Sequence, residues 1–177
     1  MSAKQETRFY LTRHAEPLPS EHDFDPFGGD LDAQSAWRSF GGRTLSDAYE
    51  VFLSNPLHYQ EYFMFMGCRA FDYYFPVIDK YLREIRYEDD RDDCEAAILG
   101  HGVKAQFSWN GAVLLDQLLQ EIESLSEIVR SRLTEYAASE DKQNRIGSVW
   151  TEVDQELARY RNNRERDMGG FDVRRKK

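Results

Sequence analysis

The 177-residue chain has few of the residues that mark secreted or membrane proteins. It has two cysteines, Cys68 and Cys94, whereas small secreted scaffolds are dense in disulfides, so we expect thiols and no bridge. Its longest uncharged apolar run is far too short to span a bilayer. Charged residues, Lys4, Glu6 and Arg8, interrupt the segment where a secretion signal would need an apolar stretch. These absences predict a cytoplasmic protein without a membrane segment.

Positive charge is the scarcer sign, with 23 Lys and Arg against 32 Asp and Glu and a net charge of −9. The acids gather in residues 21–32 and 88–95. Because an acidic surface repels phosphate backbones and anionic lipids, we expect neither a nucleic-acid nor a membrane partner. Residues 88–95 lack the pattern of a calcium loop and are interpreted as a solvated connection. The basic residues 174–177 are interpreted as part of a flexible tail over residues 167–177.

Aromatic residues are abundant, with 11 Phe, 10 Tyr and 3 Trp, and ten of them lie within residues 57–87. Since aromatic side chains bury the most apolar surface per residue, this segment is predicted to form the core. We predict a mostly α fold, with four to six helices around an aromatic core. The alternative is a ligand pocket lined by the hydroxyl groups of five tyrosines: Tyr59, Tyr62, Tyr73, Tyr74 and Tyr81.

Apolar periodicity predicts a single helical domain over residues 41–166. The first helix begins after Thr44, whose hydroxyl can cap it. A second begins at Pro56 and ends at Gly67. Pro76 is expected to break or kink the helix that follows, because its ring excludes a normal backbone bond to the preceding turn. Residues 94–108 fit either a helix interrupted by glycines or a buried strand followed by a turn.

Two amphipathic patterns follow, one over residues 111–138 and one from about Asp141. The polar link 139–143 between them is short, so we predict an antiparallel helical hairpin at the C-terminal end of the domain. A homo-oligomer through this hairpin is possible.

The first forty residues show no sustained helical or strand period and contain several prolines and glycines. We predict an irregular N-terminal arm over residues 1–40 that packs on the helical body. Four aromatic residues are the expected anchors of this arm: Phe24, Phe27, Trp37 and Phe40.

The segment Phe-Tyr-Leu-Thr-Arg-His-Ala-Glu-Pro, residues 9–17, resembles the opening motif of the histidine phosphatase superfamily. Residues 98–103, Ile-Leu-Gly-His-Gly-Val, are similar to that family's second motif, a buried strand ending in His-Gly. The resemblance implies that His14 is the nucleophile, that Arg13 binds the phosphoryl group and that His101 lines the same pocket. An imidazole can take a phosphoryl group while positive neighbours neutralise its oxygens.

The interval between these motifs holds aromatic helices where the phosphatase family has alternating strands and helices. The family's additional phosphate-binding arginine has no recognisable equivalent, and Arg38, Arg43 and Arg69 are unassigned candidates. The alternative interpretation places His14 in a solvated arm and His101 in a glycine-flanked turn.

Metal-ligand residue types are present at His14, His22, Asp23, His58 and His101, but none shows the spacing of a metal site. We therefore predict no metal site and no bound cofactor. Cys94 follows two aspartates that oppose thiolate formation, so it is a poor nucleophile.

Residues 40–82 resemble a domain of uncharacterised bacterial proteins. The resemblance rests on Asn-Pro-x-x-Tyr-x-Glu, beginning at Asn55, and on Ala-Phe-x-Tyr-Tyr-Phe-Pro, beginning at Ala70. It implies a helical domain and carries no known activity. The sequence thus predicts an acidic protein-binding module without a catalytic site, and a phosphohydrolase using Arg13, His14 and His101 is the alternative.

Overall fold

A computed structural model describes residues 17–84, 95–108 and 113–170 of the chain, and these residues are mostly helical, without a strand. A 3₁₀ turn covers Gln106–Ser108. The mostly α fold with a buried aromatic cluster is confirmed. The helices in chain order are α1 Glu21–Phe24, α2 Leu31–Phe40, α3 Leu45–Ser54, α4 Pro56–Tyr59, α5 Tyr62–Phe65, α6 Cys68–Glu84, α7 Glu95–Ala105, α8 Asp116–Ser131, α9 Leu133–Tyr136 and α10 Glu140–Gly170.

The described residues contain more helices than the four to six predicted. Four of them, α1, α4, α5 and α9, are single turns of four residues. A single turn is too short to display an apolar period, and an isolated turn is unstable in water without tertiary contacts. Periodicity therefore detects only the longer elements.

The prediction of an irregular arm is wrong for residues 31–40, which form α2. The Asp30 carboxylate caps this helix by accepting hydrogen bonds from the backbone N–H groups of Asp32 and Ala33. Ala33, Ala36 and Phe40 are fully buried at spacings of three and four. These three residues form an amphipathic pattern in the sequence. The pattern is short and lies between glycines and prolines, so it was not recognised as a helix.

The expected break at Pro76 does not occur, because α6 is one helix over Cys68–Glu84 with Pro76 inside it. An internal proline removes one backbone hydrogen bond and clashes with the carbonyl group four residues earlier. Ten of the helix's residues are buried, so tertiary packing on several sides holds α6 together despite this cost.

The start of α3 after the Thr44 cap is confirmed.

Residues 95–105 form helix α7, so the choice between helix and strand is decided for the described part of 94–108. Gly100 does not break the helix; a Cβ atom added there would lie 2.7 Å from Val149 Cγ1 and 3.0 Å from Trp150 Nε1. The Trp150 indole N–H donates to the Ala96 carbonyl at 2.8 Å. The glycine therefore lets α7 and α10 approach closely.

The predicted helix over 111–138 differs from the structure, in which α8 ends at Ser131 and the separate turn α9 follows. Arg132 interrupts the helix, with backbone angles that are not helical. Three ion pairs join α8 to α10: Asp116–Arg164 at 2.6 Å, Glu123–Arg161 at 3.0 Å and Arg130–Asp154 at 3.2 Å. No helix within the described ranges is long and apolar enough to cross a membrane.

Candidate functional site

The residues suggested by the phosphatase resemblance are only partly within the described structure. Arg13 and His14 lie outside it, so their proximity to His101 stays a prediction. His101 is half-buried in α7, where the resemblance implies the end of a strand. Burial and the nearby Lys104 ammonium lower the pKa of His101, and the Glu152 carboxylate opposes them. Lys104 itself is paired with Glu152 at 2.6 Å.

Two of the three candidate phosphate-binding arginines make intramolecular contacts. Arg69 pairs with Asp23 at 3.1 Å and donates to the Pro17 carbonyl at 3.3 Å. Arg43 Nε donates to the Ser39 carbonyl at 2.7 Å. Arg38 is exposed on α2. Arg43 and Arg69 are therefore already engaged within the described fold.

Four of the five metal-ligand candidates lie within the described residues, and His14 lies outside them. His22 is exposed on α1, and His58 is exposed on α4 with its Nε2 atom 3.2 Å from the Tyr62 hydroxyl group. Within the described ranges, no three His, Cys, Asp or Glu side chains are grouped as metal ligands would be. Cys68 is a half-buried free thiol whose pKa is raised by burial, and Cys94 lies outside the described residues.

The tyrosine contacts favour the packed core over a ligand pocket. The Tyr74 hydroxyl, fully buried, donates to the carbonyls of Phe40 at 2.5 Å and Arg43 at 3.1 Å, and burial raises its pKa. The Tyr81 ring packs edge-on against Phe52 at 4.8 Å. The rings of Tyr59 and Tyr62 both contact the Phe40 ring.

An open groove of about 260 Å³ lies between α8 and α10, and its lining includes Arg161, Arg164 and Leu119. Both arginines already have carboxylate partners, Glu123 and Asp116 respectively. A ligand anion would have to displace these pairs, so the groove is a weak candidate for a binding site.

A corner between α1 and α2 exposes two large apolar side chains. We call residues 25–31 the Phe27–Leu31 corner, because Phe27 is 76% exposed and Leu31 is 72% exposed. The prediction that Phe27 anchors the N-terminal arm is therefore wrong. Phe24 and Phe40 are fully buried, and Trp37 packs against the core, as expected of anchors.

Backbone geometry explains why Phe27 points away from the core. Gly28 and Gly29 have φ values of +73° and +93°, a left-handed region that side chains disfavour. The Asp25 carboxylate accepts from the Asp30 N–H at 3.1 Å, and the Asp25 carbonyl accepts from the Gly28 N–H at 3.3 Å. Asp30 then caps α2. These bonds close the corner and turn Phe27 outward.

The corner is fixed to the start of α6. The Gly67 N–H donates to the Phe24 carbonyl at 2.9 Å. A Cβ atom at Gly67 would lie 2.4 Å from the Asp23 carbonyl oxygen and 2.9 Å from Pro26 Cδ, so only glycine allows this approach. The Phe24 ring contacts Trp37 with 5.4 Å between centroids. Hence the base of the corner packs closely against the start of α6.

The surroundings of the corner are acidic. Residues 21–32 contain five carboxylates and neither lysine nor arginine. Asp23 is paired with Arg69; burial alone would raise its pKa, but hydrogen bonds from Ser20 and the Arg69 charge lower it. Glu21 and Asp32 are exposed, and their carboxylates have no cationic partner within the part of the chain that the structure describes.

The sequence-based prediction missed this site because it grouped Phe27 with Phe24, Trp37 and Phe40 as an anchor of the arm. The available signal was Phe-Gly-Gly-Asp at residues 27–30, since two glycines followed by a capping residue indicate a tight turn. A residue at the tip of such a turn points toward solvent.

No family model matches this chain, and neither the curated proteins nor the solved structures include a match. The resemblances to the bacterial domain and to the histidine phosphatases remain predictions from the motifs.

Proposed function

We propose that this chain is a cytoplasmic protein-binding module without catalytic activity, and that it contacts its partner through the Phe27–Leu31 corner. The observation that carries the proposal is the 76% exposure of Phe27 on a closed turn. An exposed phenylalanine forgoes roughly 1.5–3 kcal/mol of burial free energy, which a partner can recover by covering it. Aromatic side chains also dominate the binding energy of many interfaces.

The hydrogen bonds and close packing of the corner support this role. A loop that must order on binding loses conformational entropy, and this loss reduces affinity. Here the Asp25 and Asp30 bonds and the contact between Gly67 and Asp23 already hold the backbone in place. Phe27 is therefore presented to a partner at a low entropic cost.

Five other large apolar side chains are exposed among the described residues, and all five are aliphatic: Leu18, Leu53, Leu57, Val113 and Leu115. Leu53 and Leu57, 42% and 57% exposed, are aliphatic residues on either side of the junction between α3 and α4. Isolated surface leucines are common and need no functional explanation. The two leucines therefore provide a matched control.

The test compares three forms of the full chain as bait in an extract of the source cells. These are the wild type, Phe27→Ser with Leu31→Ser, and the control Leu53→Ser with Leu57→Ser. A protein captured by the wild type and the control but not by the corner variant is purified. Its affinity is then measured directly. We expect the corner variant to bind at least about 30-fold more weakly, as for loss of about 2 kcal/mol at an interface hot spot.

Equal affinity of the corner variant and the wild type for each purified partner would contradict the proposal. Light scattering of the same samples tests a second copy as the partner, because a homo-oligomer through α8 and α10 would persist in the corner variant. Release of phosphate from an aryl phosphate by the wild type but not by His14→Ala would favour the phosphohydrolase.

A further inference from the structure

We infer that the partner presents a basic segment to the Phe27–Leu31 corner: one or two lysine or arginine side chains beside an apolar surface that covers Phe27. The inference rests on the proposed function and specifies the chemistry of the partner. Its basis is the charge around the corner, considered together with the exposure of Phe27 and Leu31.

Three acids of the C-terminal helices show how carboxylates are neutralised elsewhere in this fold. On α8 and α10, acids such as Asp116, Glu123 and Asp154 are each paired with an arginine of the other helix. Between residues 21 and 32, Asp23 is the carboxylate with an ion pair among the described residues, and its partner Arg69 lies on α6. The corner therefore carries negative charge that the described part of the fold does not neutralise.

Local structure accounts for three of the five carboxylates. Asp23 accepts from the Ser20 N–H at 2.7 Å, and Asp25 and Asp30 hold the turn and cap α2. Glu21 and Asp32 have no comparable side-chain contact within residues 17–84 and lie in the first turns of α1 and α2. They precede and follow the turn in sequence, and neither has an ion-pair partner among the described residues. We call Glu21 and Asp32 the rim carboxylates.

The combination of an apolar centre and a charged rim indicates the kind of partner. Burial of Phe27 and Leu31 supplies affinity, whereas complementary charge mainly accelerates association and selects the correct partner. A neutral or acidic partner would leave the rim carboxylates desolvated without compensation. A basic segment is the chemistry that fits both features.

The experiment uses the full chain and a displayed library of random peptides as the probe. Peptides are selected on the wild type after removal of those that bind Phe27→Ser. We expect the selected peptides to be enriched in both basic and apolar residues. For individual peptides, Glu21→Gln with Asp32→Asn should reduce the association rate about tenfold at low salt, and the difference should shrink as salt screens the charges.

A matched control variant, Glu127→Gln with Glu140→Gln, removes two exposed acids from α8 and α10 and is expected to leave the association rate unchanged. Two results would overturn the inference. One is that the selected peptides are not enriched in basic residues, and the other is that they associate equally fast with the wild type and with the Glu21→Gln, Asp32→Asn variant. Loss of binding in Phe27→Ala would still support the proposed function in that case. If Phe27→Ala binds every selected peptide as the wild type does, the proposed function fails too.

The chain's own basic residues 174–177 are the competing occupant. If the wild type selects no peptide but a full-length variant with Arg174, Arg175, Lys176 and Lys177 changed to serine does, the corner is occupied by this chain. That result would overturn the inference of an external partner.

Discussion

Three buried side chains satisfy backbone carbonyl groups at helix ends that are distant in sequence. Tyr74 donates to the end of α2, and Tyr136 donates to the Leu82 carbonyl at 2.6 Å, near the end of α6. The Gln106 amide donates to Phe63 at 3.1 Å and to Met66 at 3.2 Å, at the end of α5. The last carbonyl groups of a helix have no partner within it. The donor groups of these three residues therefore have a structural role, in addition to the packing of their side chains.

Tyr74→Phe should destabilise the protein by about 1 kcal/mol, because the carbonyl groups of Phe40 and Arg43 lose their hydroxyl donor. The Phe40 carbonyl keeps the Arg43 N–H, at 3.2 Å. The matched control is Tyr62→Phe, which removes an exposed hydroxyl group bonded to His58 and should change stability by less than about 0.5 kcal/mol. Urea unfolding of the three proteins measures the difference. Equal stabilities for the two variants would contradict the structural role of the Tyr74 hydroxyl.

His101 should make stability depend on pH in the weakly acidic range. Burial and Lys104 lower its folded pKa below the ordinary value of 6.5. The unfolded chain therefore binds a proton first as the pH falls below about 6.5, and stability declines until the lower folded pKa is reached. His101→Gln should lessen this decline. Near pH 8, the free energy of unfolding should change with pH in the same way for the wild type and the variant. The free energy of unfolding of both proteins is measured from pH 8 to pH 5. An equal decline with falling pH in the variant and the wild type would contradict the role of His101.

At the scale of elements, tertiary contacts overrule local signals in α6 and α7. Pro76 and Gly100 are residues that usually end helices, and each lies inside one here. In α6 the cost is offset by burial of ten residues. In α7 the absence of a side chain at Gly100 leaves room for Val149 and Trp150 of α10. Neither contact could be anticipated from neighbouring residues, since the partners are tens of positions away.

The glycines of α7 provide a matched pair of substitutions. Gly100→Ala should lower stability by about 1 kcal/mol or more, because overpacking against Val149 and Trp150 outweighs the gain in helix propensity. Gly102→Ala should raise stability by up to about 1 kcal/mol, since its added methyl group would lie 3.5 Å from Met64 N and Phe63 Cβ, an ordinary contact distance. Thermal unfolding of the wild type and both variants shows whether each substitution raises or lowers stability. A stabilised Gly100→Ala would show that α7 and α10 are not in close contact.

On the scale of the whole molecule, one hydrophobic cluster includes buried residues from α1 to α10. Phe24 near one end of the described chain and Leu157 near the other belong to it. The cluster leaves no described element with a separate core, so unfolding should be cooperative.

Two single-tryptophan reporters test this cooperativity. Trp109→Phe with Trp150→Phe leaves Trp37 near the corner, and Trp37→Phe with Trp109→Phe leaves Trp150 between α7 and α10. Each variant changes stability, so its fluorescence transition is compared with its own far-ultraviolet circular dichroism. We expect the two transitions to coincide in each variant, because both probes report on one core. A fluorescence transition of Trp37 that precedes the loss of helix would indicate that the N-terminal elements unfold separately.

The sequence alone determined that the fold is mostly helical and that aromatic residues fill its core, because period and composition are local properties of the chain. The Thr44 cap was likewise readable from neighbouring residues. Only the tertiary structure decided that Pro76 stays inside a helix, that α7 is not a strand and that Phe27 faces outward. These outcomes depend on contacts between distant segments, such as Gly100 with Val149 and Gly67 with Asp23. Local patterns carry no information about such contacts.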